Sequence, residues 1–312
     1  MSAQNHGSLV SECAQLLCTN LGRQLYHGNS IEILNNGSEI FPAMMAAIDA
    51  AEEAIEFQTY VYWQGEVAQQ FAECLASAAK RGVKVRVLLD SFGALTIDKI
   101  SLKLIEENCT LCWFRPLKTI QIWKNIKRSH RKLLICDRKV GFTGGVGIAE
   151  QWAGNGDKKN NWRDSHFKIK GPVISTLRAA FLEGWLESSE SCEILDEKPK
   201  IAEQEEQGSE KVAALASTAS DFWSSTGMML LSCIALSSKS LKIVTPYFVL
   251  DRKLRKQLIA AFDRGVDVQI IIPSFTNTDS HLAGLAAINS LPKILKAGIR
   301  VYAFEPTFIH NK

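Results

Sequence analysis

Apolar positions along the chain fall into two kinds of run, and the two kinds alternate. Ile31 to Leu34, Ile55 to Tyr62, Val83 to Leu89 and Cys109 to Phe114 are short, branched or aromatic runs with strand character. Between them, Glu39 to Glu53, Val67 to Lys80 and Ile97 to Glu107 carry apolar residues at helical spacing. Ser38, closing the turn Asn35-Asn36-Gly37, is the expected cap of the first helix. Such alternation predicts an α/β fold. It breaks at Arg128 to Gly147, where Leu133 to Ile135 and Val140 to Thr143 read as a hairpin closed by Asp137-Arg138-Lys139. Trp162 to Ile169 then alternates as a further strand, and Val173 to Glu187 returns to helical spacing. Glu193 to Glu210 is polar, acid-rich and contains proline, which suits a linker.

Beyond that linker the order repeats. Val212 to Ala216 reads as a strand and Ser224 to Leu236 as a helix, and Leu241 to Pro246 answers Ile55 to Tyr60. Leu254 to Asp263 answers Phe71 to Lys80, with Arg264-Gly265-Val266 in the place of Arg81-Gly82-Val83. A strand from Val266 to Pro273, a helix ending near Ala297 and a strand from Ile299 to Phe304 follow. A period of domain length means duplication, not a solenoid. The expected organisation is an extension over 1–30, a first α/β domain over 31–192, a linker over 193–210 and a second, incomplete domain over 211–312. Each domain is expected to be a mixed sheet flanked by helices.

Composition changes this picture little, because 46% hydrophobic and 22% charged residues are ordinary for a globular chain. A formal net charge of +3 gives no reason to expect nucleic acid over the whole surface. The local balance is different. From Lys118 to Lys139 eight basic residues face the single acid Asp137, so an anionic partner is expected there. Ile120, Ile122, Trp123 and Ile126 lie among those cations, a mixture that suits an anionic lipid surface, with Trp123, Lys124, Lys127 and Arg128 as its contacts. A buried element with a basic edge is the alternative.

The eight cysteines are scattered, as free thiols in a reducing compartment would be. Cys109 and Cys112 read as strand residues pointing to opposite faces, not as half of a zinc site. Met1 to Val10 lacks the apolar core of a signal peptide, and the longest apolar run, Met228 to Leu236, is too short to span a bilayer. A cytoplasmic protein, peripheral at the inner face of the cell membrane, is expected.

The candidate chemistry sits on the hairpin. His130 and Lys132 stand two apart ahead of Leu133, so an extended chain projects both from one face. Nearby Gly144-Gly145 makes a corner open enough for an anion to approach the backbone. An imidazole, an ammonium and that corner are equipment for holding and attacking a phosphate. Duplication requires a counterpart, and His310-Asn311-Lys312 supplies it. Neither a serine triad nor a dinucleotide loop competes. Ser129 and His130 face opposite ways on a strand, and the glycines from Gly141 to Gly147 lack the G-x-G-x-x-G order.

With both H-x-K elements in place, the sequence resembles the phospholipase D superfamily, and within it the bacterial cardiolipin synthase-like branch. The first half carries the spacing H-x-K-x4-D-x6-G-G as His130, Lys132, Asp137, Gly144 and Gly145. Trp162 to Phe167, followed by Lys170-Gly171-Pro172, resembles the stretch these proteins place after the first motif. The sequence departs from the pattern at Gly147, where the family usually has Asn, and it stops at Lys312 inside the second motif.

The resemblance implies two tandem phospholipase D-like domains and a two-step displacement at a phosphodiester without metal or other cofactor. It makes His130 the nucleophile that becomes a phosphohistidine, and His310 the acid and base. Lys132 and Lys312 are implied on the non-bridging oxygens, with Gly144 and Gly145 beside the phosphate. Asp164 resembles the acid that holds the nucleophilic histidine in one tautomer, the alternative being a strand-surface carboxylate. Asp137 completes the catalytic set of the motif, as support through its turn and not at the phosphate. His166 is expected to support the site or the core. A chain ending at Lys312 is expected to leave His310 on a frayed terminus and the stretch nearly inactive.

Phosphatidyl transfer from a phospholipid such as phosphatidylglycerol to an alcohol is the expected activity. Water as acceptor makes a phospholipase D or another phosphodiesterase the near alternative, and a nuclease is less expected because the basic residues cluster in one segment. A non-catalytic lipid-binding fragment is the alternative from a different class.

Overall fold

The computed structural model describes residues 3–117, 128–195, 205–216 and 225–312. The expectations for Trp123, Lys124 and Lys127 therefore lie outside the described residues. After α1 (Ala3–Asn20) come β1 (Tyr26–Asn35), α2 (Asn36–Asp49), β2 (Ala54–Thr59), α3 (Glu66–Lys80), β3 (Lys84–Asp90), α4 (Lys99–Asn108) and β4 (Thr110–Phe114). The hairpin is β5 (Leu133–Cys136) and β6 (Val140–Gly144), followed by β7 (Ser165–Lys170) and α5 (Ile174–Ser188). The later elements are β8 (Glu210–Val212), α6 (Ser225–Leu236), β9 (Ser240–Val244), α7 (Arg252–Asp263), β10 (Asp267–Pro273), α8 (His281–Lys296) and β11 (Arg300–Phe304).

Eight strands form one sheet in the order β4-β3-β2-β5-β6-β7-β1-β8, parallel across β2, β3 and β4 and antiparallel across the rest. One face packs under α2 and α3 through Ile48, Phe57, Phe71 and Leu134, and the other under α5 through Leu133, Ile135, Ile169 and Phe181. β2 is buried along its whole length, so its Glu56 needs a partner, and Arg178 of α5 provides one at 2.8 Å. Burial raises the Glu56 pKa, and Arg178 opposes that rise.

The second sheet, β11-β10-β9, repeats the parallel order β4-β3-β2. A side-chain device repeats with it. Arg81 donates to the carbonyls of Ile48, Asp49 and Ala51, and Arg264 donates to those of Ile234, Ala235 and Ser237. Each arginine ties off the C-terminal end of the helix that precedes the first strand of its parallel trio, β2 or β9, where carbonyls lack intrahelical donors. The glycine after each, Gly82 at φ 95° and Gly265 at φ 88°, turns the chain into the next strand. Sequence and structure thus agree on the duplication.

One expectation needs correction. The strand expected to open the second half joins the first sheet as β8, because Asn29 of β1 donates to the Glu210 carbonyl and accepts from the Val173 amide. Asp137, expected to support the motif through its turn and not at the phosphate, is a structural clamp. Its backbone turns at φ 52° and its carboxylate accepts from the amides of Glu52, Glu53 and Ala54 at 2.9, 2.7 and 2.9 Å. Asp137→Ala is therefore expected to lower unfolding free energy by about 1–3 kcal/mol while kcat of the folded protein holds, as denaturant melts beside initial rates will read.

Candidate active site

Two long-range anchors place His130. Asp90, 1% exposed at the end of β3, accepts from the amides of Phe92 (2.9 Å), Gly93 (3.1 Å) and Ser129 (3.2 Å). Gln58 of β2 donates to the Ser129 hydroxyl at 3.0 Å. With Ser129 held, the His130 ring stacks on Tyr60, its centroid 3.9 Å away at 20° between planes. Arg128, expected at a lipid surface, points inward instead. It lies 3.8 Å from the Asp90 carboxylate and donates to Ser91 Oγ at 3.0 Å and the Arg115 carbonyl at 2.8 Å. A buried carboxylate on β3 outcompetes solvent for that guanidinium.

Lys132 is 7% exposed, and its Nζ donates to the His130 carbonyl at 3.1 Å. Burial, and then the charge on Lys312, push its pKa down to about 7, opposed by Asp164. Burial, then Lys132, Lys312 and His310, lower that of His130. A neutral imidazole keeps the lone pair that a nucleophile needs.

His310 is not frayed. It is 6% exposed, and its amide donates to the Arg163 carbonyl at 2.7 Å while the Arg163 amide donates to Phe308 at 2.9 Å. Trp152, Trp162, Phe308 and Tyr247 wall its ring, with centroids 5.3, 5.6, 5.8 and 6.3 Å away. The last residues are fixed because they pair with the first half of the chain, not with a strand of their own half.

Asp164 also departs from expectation, since its partner is His310 and not His130. Its Oδ2 accepts from His310 Nδ1 at 2.7 Å and Trp152 Nε1 at 3.0 Å, and Oδ1 from the Ser165 amide at 2.8 Å. With Nδ1 donating, His310 Nε2 is free to accept from Lys312 Nζ at 2.9 Å. Burial lowers the His310 pKa, Asp164 raises it, and Lys312 and Lys132 lower it.

The glycine corner serves packing. A Cβ on Gly144 would lie 2.7 Å from His166, and one on Gly145 2.3 Å from the Asp164 carboxylate, so these glycines let β6 close on the acid. The Gly145 amide is already donated to the Ser165 carbonyl, which leaves it unavailable to an anion. At Gly147, where the family usually has Asn, a Cβ would meet Val61 at 2.6 Å, so this backbone has no room for one. His166 is 1% exposed with Nδ1 unpartnered, and burial pushes its pKa down to about 4, so it is a neutral core imidazole.

Sequence reasoning missed Tyr60, Gln58, Asp90, Trp152 and Tyr247. Only their convergence from distant elements on the two histidines and Ser129 marks them, and no spacing in the chain carries that signal. Among the described residues no group of three His, Cys, Asp or Glu side chains could hold a metal ion, and no helix is long and apolar enough to cross a membrane.

A duplicated α/β unit that brings one H-x-K from each half to a single charged cluster defines a phospholipase D-type protein. The family model described as "Cardiolipin synthase, PLD-like domain" matches residues 44–180 and 230–312, and the chain belongs to that family. Cardiolipin synthase 1 of Bacillus anthracis is 32% identical over 289 residues, covering 90% of this chain and 56% of that protein. The major cardiolipin synthase ClsA of Bacillus subtilis is 28% identical over 287 residues, covering 91% and 59%. The chain thus spans a little over half the length of these curated relatives. Among solved structures, phosphatidylserine synthase from Haemophilus influenzae matches with a TM-score of 0.66 at 15% identity, over 95% of this chain and 78% of that one, a likeness of fold.

Proposed function

We propose that the protein transfers a phosphatidyl group from a phospholipid such as phosphatidylglycerol to an alcohol, as in cardiolipin synthesis, through a phosphohistidine. The observation that carries this reading is the Asp164-His310 pair standing in the same charged cluster as His130, Lys132 and Lys312. In the first step a ring nitrogen of His130 attacks phosphorus, the bond to the leaving alcohol oxygen breaks, and His310 gives that oxygen its proton. In the second, the incoming alcohol gives its proton to His310 and attacks phosphorus, and the P–N bond breaks. Asp164 stabilises the imidazolium of His310, which is what an acid and base needs. Lys132 and Lys312 hold the non-bridging oxygens. Water in place of the alcohol gives hydrolysis at the same site, and membrane contact at the inner leaflet fits the lipid substrate.

Incubation of the complete gene product with labelled phosphatidylglycerol tests this. Cardiolipin with free glycerol supports transfer; phosphatidic acid with glycerol and no cardiolipin means hydrolysis, and no product removes both readings.

Crowded cations also make a pH prediction. A phosphodiester anion replaces repulsion around Lys132 with attraction and raises its pKa from about 7. Binding is then accompanied by proton uptake above that pH, where free Lys132 is neutral, and the uptake fades below it. Titration calorimetry with dimethyl phosphate, a diester that stays a monoanion throughout this range, in buffers of different ionisation heat reads the proton count. Lys132→Met is expected to diminish the uptake and to lower kcat by about 10²–10³-fold; a change in KM alone would make Lys132 a docking residue.

A further inference from the structure

Between α5 and the sheet lies a cavity of about 340 Å³, and His130 and Lys132 belong to its wall. From there it runs along Leu133, Ile169 and Leu177 under the segment Val212–Ala216. Protein interiors close to crystal-like density, so an apolar space of this size next to the reacting groups is a feature of the sequence and not slack. Small side chains keep it open: Ala180 on α5 and Ala213, Ala214 and Ala216 on the covering segment stand where larger ones would fill it.

Of its polar neighbours, Arg131 and Thr176 are already engaged. Arg131 donates to the Ala180 carbonyl at 2.7 Å and to Glu183 at 2.6 Å, and the Thr176 hydroxyl donates to the Tyr26 hydroxyl at 3.1 Å. Sugars and bases, which need hydrogen-bond partners, have little to bind there. An alkyl chain needs none.

Resting on the phosphatidyl-transfer reading above, we propose that this cavity receives one acyl chain of the donor phospholipid while its phosphate lies between Lys132 and Lys312. One amphiphile then reaches both, its hydrocarbon against the alanine-lined wall on the α5 face and its anion on the cations around the start of β5. Chain length becomes a determinant of specificity, because each further methylene buried strengthens binding about threefold to fourfold until the cavity is full.

The test compares kcat/KM of the complete gene product on dihexanoyl, diheptanoyl and dioctanoyl phosphatidylglycerol, all below their micelle concentrations, with bis(p-nitrophenyl) phosphate as a chain-free ester. A stepwise rise with chain length is expected, flattened by Ala214→Phe and, to a smaller extent, by Ala216→Leu. Turnover of every substrate at one kcat/KM overturns the cavity's role, and means that the chain's own side chains fill it or that no acyl group reaches it. A rise that both variants leave unchanged overturns the location. No turnover of any substrate, the chain-free ester included, refutes the phosphodiester chemistry beneath the proposal. Hydrolysis of the chain-free ester without any length dependence overturns the acyl site alone.

Discussion

His130→Ala is expected to abolish transfer, by ~10⁴-fold or more, while the fold persists. The hairpin packs through Leu133, Ile135 and Phe142, which are 5%, 1% and 0% exposed, whereas the His130 ring is held by stacking on Tyr60. Removing the imidazole therefore costs little core. The loss is chemical, because among the described residues no other neutral nucleophile stands beside Lys132. His310 is committed through Nδ1 to Asp164, and His166 is 1% exposed. Two measurements check this: initial rates on labelled phosphatidylglycerol, and trapping of the phosphoenzyme by acid-free quench. With bis(p-nitrophenyl) phosphate, whose leaving group needs no proton, His310→Ala should still form phosphoenzyme and His130→Ala should not. The reverse pattern would exchange the two roles, and activity of His130→Ala within tenfold of the parent would remove it from the nucleophile's place.

What the sequence could and could not reveal follows from the range of each interaction. Helices and strands of the first half were legible because their apolar periodicity is local, and the repeat of Arg81-Gly82-Val83 as Arg264-Gly265-Val266 exposed the duplication without any structure. Convergence of His130 and His310 followed from that repeat. Asp164 was legible as an acid near the site, but not its partner, because the choice between two histidines depends on which strand end crosses the Arg163 backbone. Arg128 was misread for the same reason: a basic run looks solvated until Asp90, on a distant strand, is found beneath it. The glycine pair looked like an anion corner because glycine permits close approach of any kind, and here the approaching group is the Asp164 carboxylate of the protein itself. His310 looked frayed since terminal residues usually are, yet pairing across the two halves buries it.

Asp164→Asn is expected to lower kcat by ~10³–10⁴-fold through His310 without unfolding the protein. In the parent both donors, His310 Nδ1 and Trp152 Nε1, converge on Oδ2, while Oδ1 takes the Ser165 amide. An asparagine cannot satisfy this set. With its oxygen toward His310 and Trp152, its NH₂ opposes the Ser165 N–H. With the amide turned over, NH₂ faces the indole N–H, and His310 must move its proton to Nε2, against the Lys312 ammonium 2.9 Å away. Either orientation loses the negative charge that raises the His310 pKa, while burial and the two lysines that lower it remain. The acid form of His310 then survives only at lower pH, so the limb of the pH–rate profile that reports it shifts downward. Esters with leaving groups that need no proton should be spared in the first step, because His310 matters there only as an acid. A downward shift together with that sparing identifies Asp164 as the residue that poises His310. A loss below tenfold with the limb unmoved would instead mean that Asp164 serves only to pack Trp152 and the turn into β7.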